Sequence, residues 1–179
     1  SRDETGGLVG HHLMGQVVSD LIGAERLGHS PVAVLGNAPK TLALAHALIE
    51  SGAKQVIVPQ ASTDQLATLG AEDVTNKVNE DSWSQLAALI RGSSGNGQGE
   101  PTSCSEKEIS RLDPQCVVVD QAIPASTTPL LRYAAERGHI IHSLIDLLVL
   151  RASAAFLLWT DQPVDPAPLR EAFEEFLEI

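Results

Sequence analysis

Residues 31–58 read Pro31-Val-Ala-Val-Leu-Gly-Asn-Ala-Pro-Lys-Thr-Leu-Ala-Leu-Ala-His-Ala-Leu-Ile-Glu-Ser-Gly-Ala-Lys-Gln-Val-Ile-Val58. The stretch opens with a short apolar run that ends in Gly36, which suits a strand buried on both faces. From residue 39 to 51 strong helix formers follow, with Pro39 tolerated in the first helical turn and Gly52 placed as a C-terminal stop. Residues 54–58 form a second apolar run. The whole has the ~30-residue length of a βαβ unit, so two parallel strands and a right-handed crossover are expected.

Working outward, Leu8, Val9, Leu13, Val17, Val18, Leu21 and Ile22 recur at helical spacing. They predict a helix over 8–24, weakened in its first half by Gly10 and Gly15, and a turn at 28–31. Downstream, 63–69 reads as a short helix and 72–78 as a weak edge strand. Residues 82–91, with Trp83, Leu86, Ala87, Leu89 and Ile90, are read as a helix. Gly, Ser, Asn and Pro crowd 92–105, which predicts a flexible loop. Residues 116–120 read as a buried strand, 127–137 as a helix closed by Gly138, and 139–142 as a short strand. A long, mostly apolar helix is expected over 144–159. An amphipathic one follows over 166–177, with Leu169, Phe173, Phe176 and Leu177 on one side.

Strands thus alternate with helices along the chain. The pattern predicts one domain over 1–179: an α/β doubly wound, mainly parallel sheet with helices on both faces, a three-layer αβα sandwich. Strands 32–35, 55–58 and 117–120 are expected near its centre. Ligands of such sheets bind beyond the carboxyl ends of the strands at the switch point. That puts residues 36–40, 59–62 and 120–125 around one crevice.

Composition narrows the function. The 179 residues carry 12 Lys+Arg against 23 Asp+Glu, a formal charge of −11, which argues against direct nucleic-acid contact driven by charge. Aromatic residues at 3% leave little for a base-stacking platform. No apolar run reaches the ~18–20 residues of a membrane span, so no membrane partner is expected. The two cysteines, Cys104 and Cys116, are too few for a disulfide framework or a four-cysteine zinc site, and a reduced cytoplasmic setting is the default.

Three stretches together resemble shikimate dehydrogenases and their quinate/shikimate relatives. The family carries a helix of the form G-L-x-M-L-V-x-Q-A-x-x-x-F-x-x-W-T-G. Residues 143–161, Ser-Leu-Ile-Asp-Leu-Leu-Val-Leu-Arg-Ala-Ser-Ala-Ala-Phe-Leu-Leu-Trp-Thr-Asp, follow that frame with Leu148-Val149, Ala152, Phe156, Trp159 and Thr160 in place. Asp120 and Thr128-Pro-Leu-Leu-Arg132, with Arg137-Gly138, match the D-x-x-Y-N-P-x-x-T-P-L-L segment. The βαβ unit matches the nucleotide-binding half, and Gly10-His-His-Leu-Met-Gly15 sits where the family has G-x-N-T-D-G. The resemblance implies a Rossmann-type NADP-binding domain. In that family the substrate domain lies N-terminal and supplies the catalytic lysine. The chain opens on Ser1 and is expected to be a piece of a longer protein whose substrate domain is not among these residues.

The departures from the pattern fall on the functional positions. The family's Asn and catalytic Asp correspond to His12 and Met14, and methionine has no ionisable group. The glycine-rich turn becomes Gly36-Asn37-Ala38-Pro39-Lys40, in which Ala38 replaces a glycine that lets backbone approach a pyrophosphate. Pro39 has no N–H to give a phosphate, while Lys40 offers compensating charge. After the second strand, Pro59 and Gln60 stand at the Asn and Arg of the family's N-R-T or N-R-S, so the arginine for a 2′-phosphate is missing. Tyr and Asn of Y-N-P become Ile123 and Pro124, and the substrate-binding glutamine becomes Arg151. The cofactor reading is therefore none, or weak NADP, through Gly36, Asn37, Ala38, Lys40, Gln60 and Ser62. No residue is assigned a catalytic role.

The other candidates have bland readings. His11 and His12 point ~100° apart on a helix and do not grip one metal; His139 and His142 bracket a strand and face opposite sides. No metal site is expected. Cys104 and Cys116 have no base beside them. Arg151, in an apolar helix, either pairs with Asp120 or Asp146 or receives a small acidic ligand. Two functions compete. One is a noncatalytic descendant used for regulation, ligand sensing or assembly, as in fungal quinate-pathway repressors, which would be nuclear. The other is the cofactor half of an NADP-dependent shikimate dehydrogenase, reducing 3-dehydroshikimate to shikimate. A third use is as a scaffold: an unshielded 144–159 helix would suit a protein partner, a second copy or the parent chain's own N-terminal domain.

Overall fold

The computed structural model describes residues 6–7, 9–70, 72–92, 104–122 and 128–178. Six parallel strands form one sheet: β1 (Val32–Leu35), β2 (Val56–Ile57), β3 (Val74–Thr75), β4 (Ala88–Arg91), β5 (Val117–Asp120) and β6 (Ile140–His142), in the order β3-β2-β1-β4-β5-β6. The chain leaves β1 toward one edge through β2 and β3, then returns to lay β4 on the other side of β1. That reversal makes the switch point of a doubly wound sheet.

The four-residue strands are buried on both faces, and alternate residues serve two cores. Val32, Val34, Ala88, Ile90, Val117 and Val119 pack with helices α1 (Leu13–Ile22), α2 (Ala24–His29), α3 (Pro39–Glu50) and part of α7 (Leu144–Thr160). Ala33, Leu35, Leu89 and Val118 pack on the opposite side with Trp83, α5 (Glu106–Ile109) and α6 (Pro129–Glu136). The three-layer αβα expectation is met.

Local signals set the helix ends. Pro39 opens α3, and the chain turns out of it at Gly52, whose φ is +91°. A capping box of Ser62 and Gln65 starts α4 (Thr63–Leu69), and Ser143 with Asp146 forms another at α7. Asp165 caps α8 (Pro166–Leu177), which lies along α7 through Leu169, Phe173 and Leu177.

Two expectations need correcting. The predicted helix over 82–91 is a 3₁₀ turn, Glu80–Gln85, followed by β4. Leu86–Ile90 is buried throughout, so both sides of the segment are apolar and neither a period of 2 nor one of 3.6 is visible in it. Its position between β1 and β5 also completes the sheet, which no local signal reports. The predicted helix over 8–24 is shorter and breaks at Gly23, where φ is +86°, into α1 and α2. Gly15, read as a weakness, is a contact point: a Cβ there would lie 2.4 Å from that of Ala47, so the backbone of α1 rests on the Ala47 methyl of α3. The loop expected over 92–105 lies largely outside the described residues. No helix among the described residues is long and apolar enough to cross a membrane.

Candidate functional site

The carboxyl ends of β1, β4 and β5 stand side by side, with Leu35, Arg91 and Asp120 in register. Gly36, Gln60 and Asp120 therefore stand at the carboxyl ends of β1, β2 and β5 on one side of the molecule. Ile123 and Pro124 lie outside the described residues.

The turn after β1 is held by the chain's own side chains. Gly36, at φ +119°, donates its N–H to Oε1 of Gln60 at 2.9 Å. Gln65 accepts the N–H of Ser62 at 2.9 Å and donates from Nε2 to the carbonyl of Asn37 at 3.2 Å, tying the cap of α4 to the same turn. Ala38 is the N-cap residue of α3 but has no side-chain acceptor to cap with. Pro39 adds no N–H, and Lys40 stands exposed beside it. Thr41 is buried, and its hydroxyl packs where a side chain on Gly92 would have to go, 2.6 Å from the ideal Cβ position. Gln65 and Thr41 were not legible as site residues, because each acts through a partner remote in sequence or through close packing.

Below the crevice lies a buried ion pair. Arg91 Nε donates to Asp120 Oδ1 at 2.7 Å and Nη2 donates to Oδ2, with the carboxylate fully buried and the guanidinium nearly so. The Thr128 hydroxyl also donates to Oδ2, and Ala122 N–H to Oδ1 at 2.9 Å. Asp120 thus holds Ala122 and Thr128 at the end of β5 while neutralising Arg91. The pairing corrects the reading of Arg151. Asp120 is taken by Arg91, and Asp146 is taken by Arg170 of α8. Arg151 is exposed on α7 and pairs with neither.

His12 serves as the N-cap of α1, its Nδ1 accepting the Gly15 N–H at 3.0 Å. Met14 is half-buried and packs on the core beneath α1. Burial pushes the Cys104 and Cys116 thiols up to about 12, with Glu108 adding to the rise at Cys104. Neither is a ready nucleophile. His139 is buried at the start of β6, and burial lowers the pKa of half-buried His142 against a pull from Asp146. Among the described residues no group of three or more His, Cys, Asp or Glu could hold a metal ion.

At the turn after β1 the Gly36 N–H is engaged by Gln60, the first residue of α3 is Pro39, and residues 58–62, which follow β2, include no cation.

The outer half of α7 differs in character. Phe156, Leu157, Leu158 and Trp159 follow one another, all exposed, Trp159 to 79%, and Phe176 of α8 to 83%. A helix apolar on all sides is normally enclosed.

No protein-family profile matches the chain. In sequence, a shikimate dehydrogenase (NADP(+)) of Synechococcus sp. (strain JA-2-3B'a(2-13)) is 27% identical over 175 residues, covering 89% of this chain and 59% of that protein. In structure, quinate dehydrogenase from Corynebacterium glutamicum in complex with NAD superposes with a TM-score of 0.64 at 22% identity, over 97% of this chain and 65% of that one. The ligand-free form of 5-ketofructose reductase of Gluconobacter sp. strain CHM43 gives 0.72 at 19% identity, over 98% and 67%. The chain is similar to shikimate dehydrogenases in sequence, has the Rossmann-like fold of these dehydrogenases, and spans about three fifths of the curated relative's length.

Proposed function

We propose that this shikimate dehydrogenase-like domain no longer performs hydride transfer and serves a regulatory, ligand-sensing or assembly role. The observation that carries the reading is the Gly36–Gln60 hydrogen bond at 2.9 Å, by which the chain satisfies internally the N–H that opens the phosphate-binding turn. Pro39, and the absence of a cation on the β2 side, act in the same direction. Met14 on the core and His12 as a helix cap leave no proton-transfer pair at the start of α1. Loss of one charge-assisted contact costs ~1.5–3 kcal/mol, roughly ten- to a hundredfold in affinity. Calorimetric titration with NADP⁺ and NAD⁺ is the test. We expect no heat, or affinity far weaker than micromolar. Micromolar binding of either nucleotide overturns the reading.

The exposed outer half of α7 supports a partner: the parent chain's own N-terminal domain, another protein or a second copy. Exposed Arg151 is the residue for a small acidic ligand on that helix. The sequence relative favours a second reading, in which the chain is the cofactor half of a working NADP-dependent shikimate dehydrogenase. Turnover of shikimate by the parent protein would establish it, and would also show that a residue other than Met14, with His12 the first candidate, handles the proton.

A further inference from the structure

We propose that a groove at the amino-terminal ends of the strands, across the sheet from the crevice, binds a small oxyanion carrying more than one negative charge. It encloses about 340 Å³, at the lower end of the ~300–1,000 Å³ of small-molecule sites. Its walls come from segments that enter the sheet: His29 at the end of α2, Lys54 ahead of β2, Leu86 and Ala87 ahead of β4, and Gln115 ahead of β5. Being at the opposite end of the strands, it is independent of the dinucleotide crevice and of the reading given above.

The cations of this groove are held by uncharged groups. Arg26 donates from Nη1 to the Gln115 carbonyl at 2.7 Å and from Nη2 to its Oε1 at 3.2 Å. Lys54 Nζ donates to the His29 carbonyl at 3.2 Å, and the His29 ring is oriented by Nδ1 against the Glu25 carbonyl at 2.7 Å. Every one of these anchors is neutral. They fix the direction of the charged groups without cancelling the charge. The ion pairs among the described residues are His46–Glu50, Arg91–Asp120 and those of Arg170 with Asp146 and Glu174; neither Arg26 nor Lys54 takes part in one. In a chain with 23 acidic residues and 12 basic ones, two oriented and unneutralised cations on one concave surface are a selective arrangement. Asp113 is the one carboxylate of the lining; its Oδ1 accepts the neutral Gln115 N–H at 2.8 Å and keeps its charge, so Arg26 and Lys54 leave the lining with one net positive charge.

Donor capacity remains. An ammonium has three N–H bonds and a guanidinium five, so Lys54 and Arg26 keep donors beyond those spent on their anchors. Phosphate and carboxylate groups share this chemistry. A nucleic acid does not fit, because the net charge of −11 repels an extended polyanion that a small ion in the groove would not feel as strongly.

The test titrates the chain with inorganic phosphate and, in a second arm, with citrate, at ionic strength held constant with chloride, following amide NMR shifts. Saturable shifts are expected at Lys54, Gln85, Ala87 and Gln115, with a Kd of about 1 mM or tighter for at least one of the two. The arm that saturates first tells a phosphate ligand from a carboxylate one. Lys54→Gln and Arg26→Gln should each weaken binding about tenfold or more, while Lys40→Gln at the other end leaves it unchanged. Lys54 is exposed, so its variant folds even if losing the Arg26–Gln115 contact loosens the neighbouring turn. Shifts that stay linear in both arms overturn the proposal. So does undiminished affinity in Lys54→Gln, or a response centred on Lys40.

Discussion

Replacing Asp120 by alanine strikes the most buried charge at the crevice. The carboxylate takes two bonds from Arg91 and one each from Thr128 and Ala122, and is itself fully buried. Removing it leaves the nearly buried Arg91 guanidinium uncompensated, with little water to replace the lost partner. Breaking a buried pair from one side costs about 3–5 kcal/mol. At ~2–4 °C per kcal/mol for a chain of this size, the melting temperature should fall by about 6–20 °C. That is a large share of the ~5–15 kcal/mol of a typical domain. The contrast is the double variant Arg91→Met with Asp120→Ala, which removes both charges and closes the cycle. It should lie within about 2 kcal/mol of the parent, because apolar replacements of buried pairs are often neutral. Thermal and urea denaturation of the four proteins of the cycle give the coupling directly. If Asp120→Ala melts within about 2 °C of the parent, or the double variant is no better than the single ones, Arg91 is not held as described.

Three further outcomes follow from the packing. Gly15→Ala should destabilise by about 1–3 kcal/mol in urea melts despite alanine's better helix propensity, since its Cβ would overlap that of Ala47 at 2.4 Å. Cys116, buried and with its thiol pushed up to about 12, should react slowly with a thiol reagent at pH 8 and rapidly in denaturant; fast native labelling of Cys116 would contradict the burial. Burial alone would raise the Asp146 carboxyl, but hydrogen bonds from Arg170 and Ser143 outweigh it and hold the group below its ordinary value. Its folded pKa being the lower one, its contribution is present above the unfolded pKa and lost as pH falls through the folded one. Acid should therefore loosen α8 from α7, and Arg170→Ala should flatten that part of the stability profile.

Much of this fold is written locally. The runs that become β1, β2 and β5, the Pro39 start of α3, the Ser62 start of α4 and the Pro166 start of α8 are each settled by residues within a few positions of one another. Chain stiffness, capping and turn chemistry act over that distance, so a reader of residues finds them. The identities of Met14, Ala38, Gln60 and Arg151 are equally legible, since reading them needs no neighbour in space.

What the tertiary structure alone decided is where partners come from. Residues 88–91 are a strand because β1 and β5 lie on either side of them, and a segment buried on both faces shows no period to read. Asp120 meets Arg91 rather than Arg151 because the register of β4 and β5 aligns them, and Arg170 reaches Asp146 because α8 folds back along α7. Gln60 and Gln65 reach the turn after β1 only when β2 is laid beside it. Hydrogen bonds and charges act over a few ångströms whatever the separation along the chain, so these assignments belong to the packed structure and to no window of sequence.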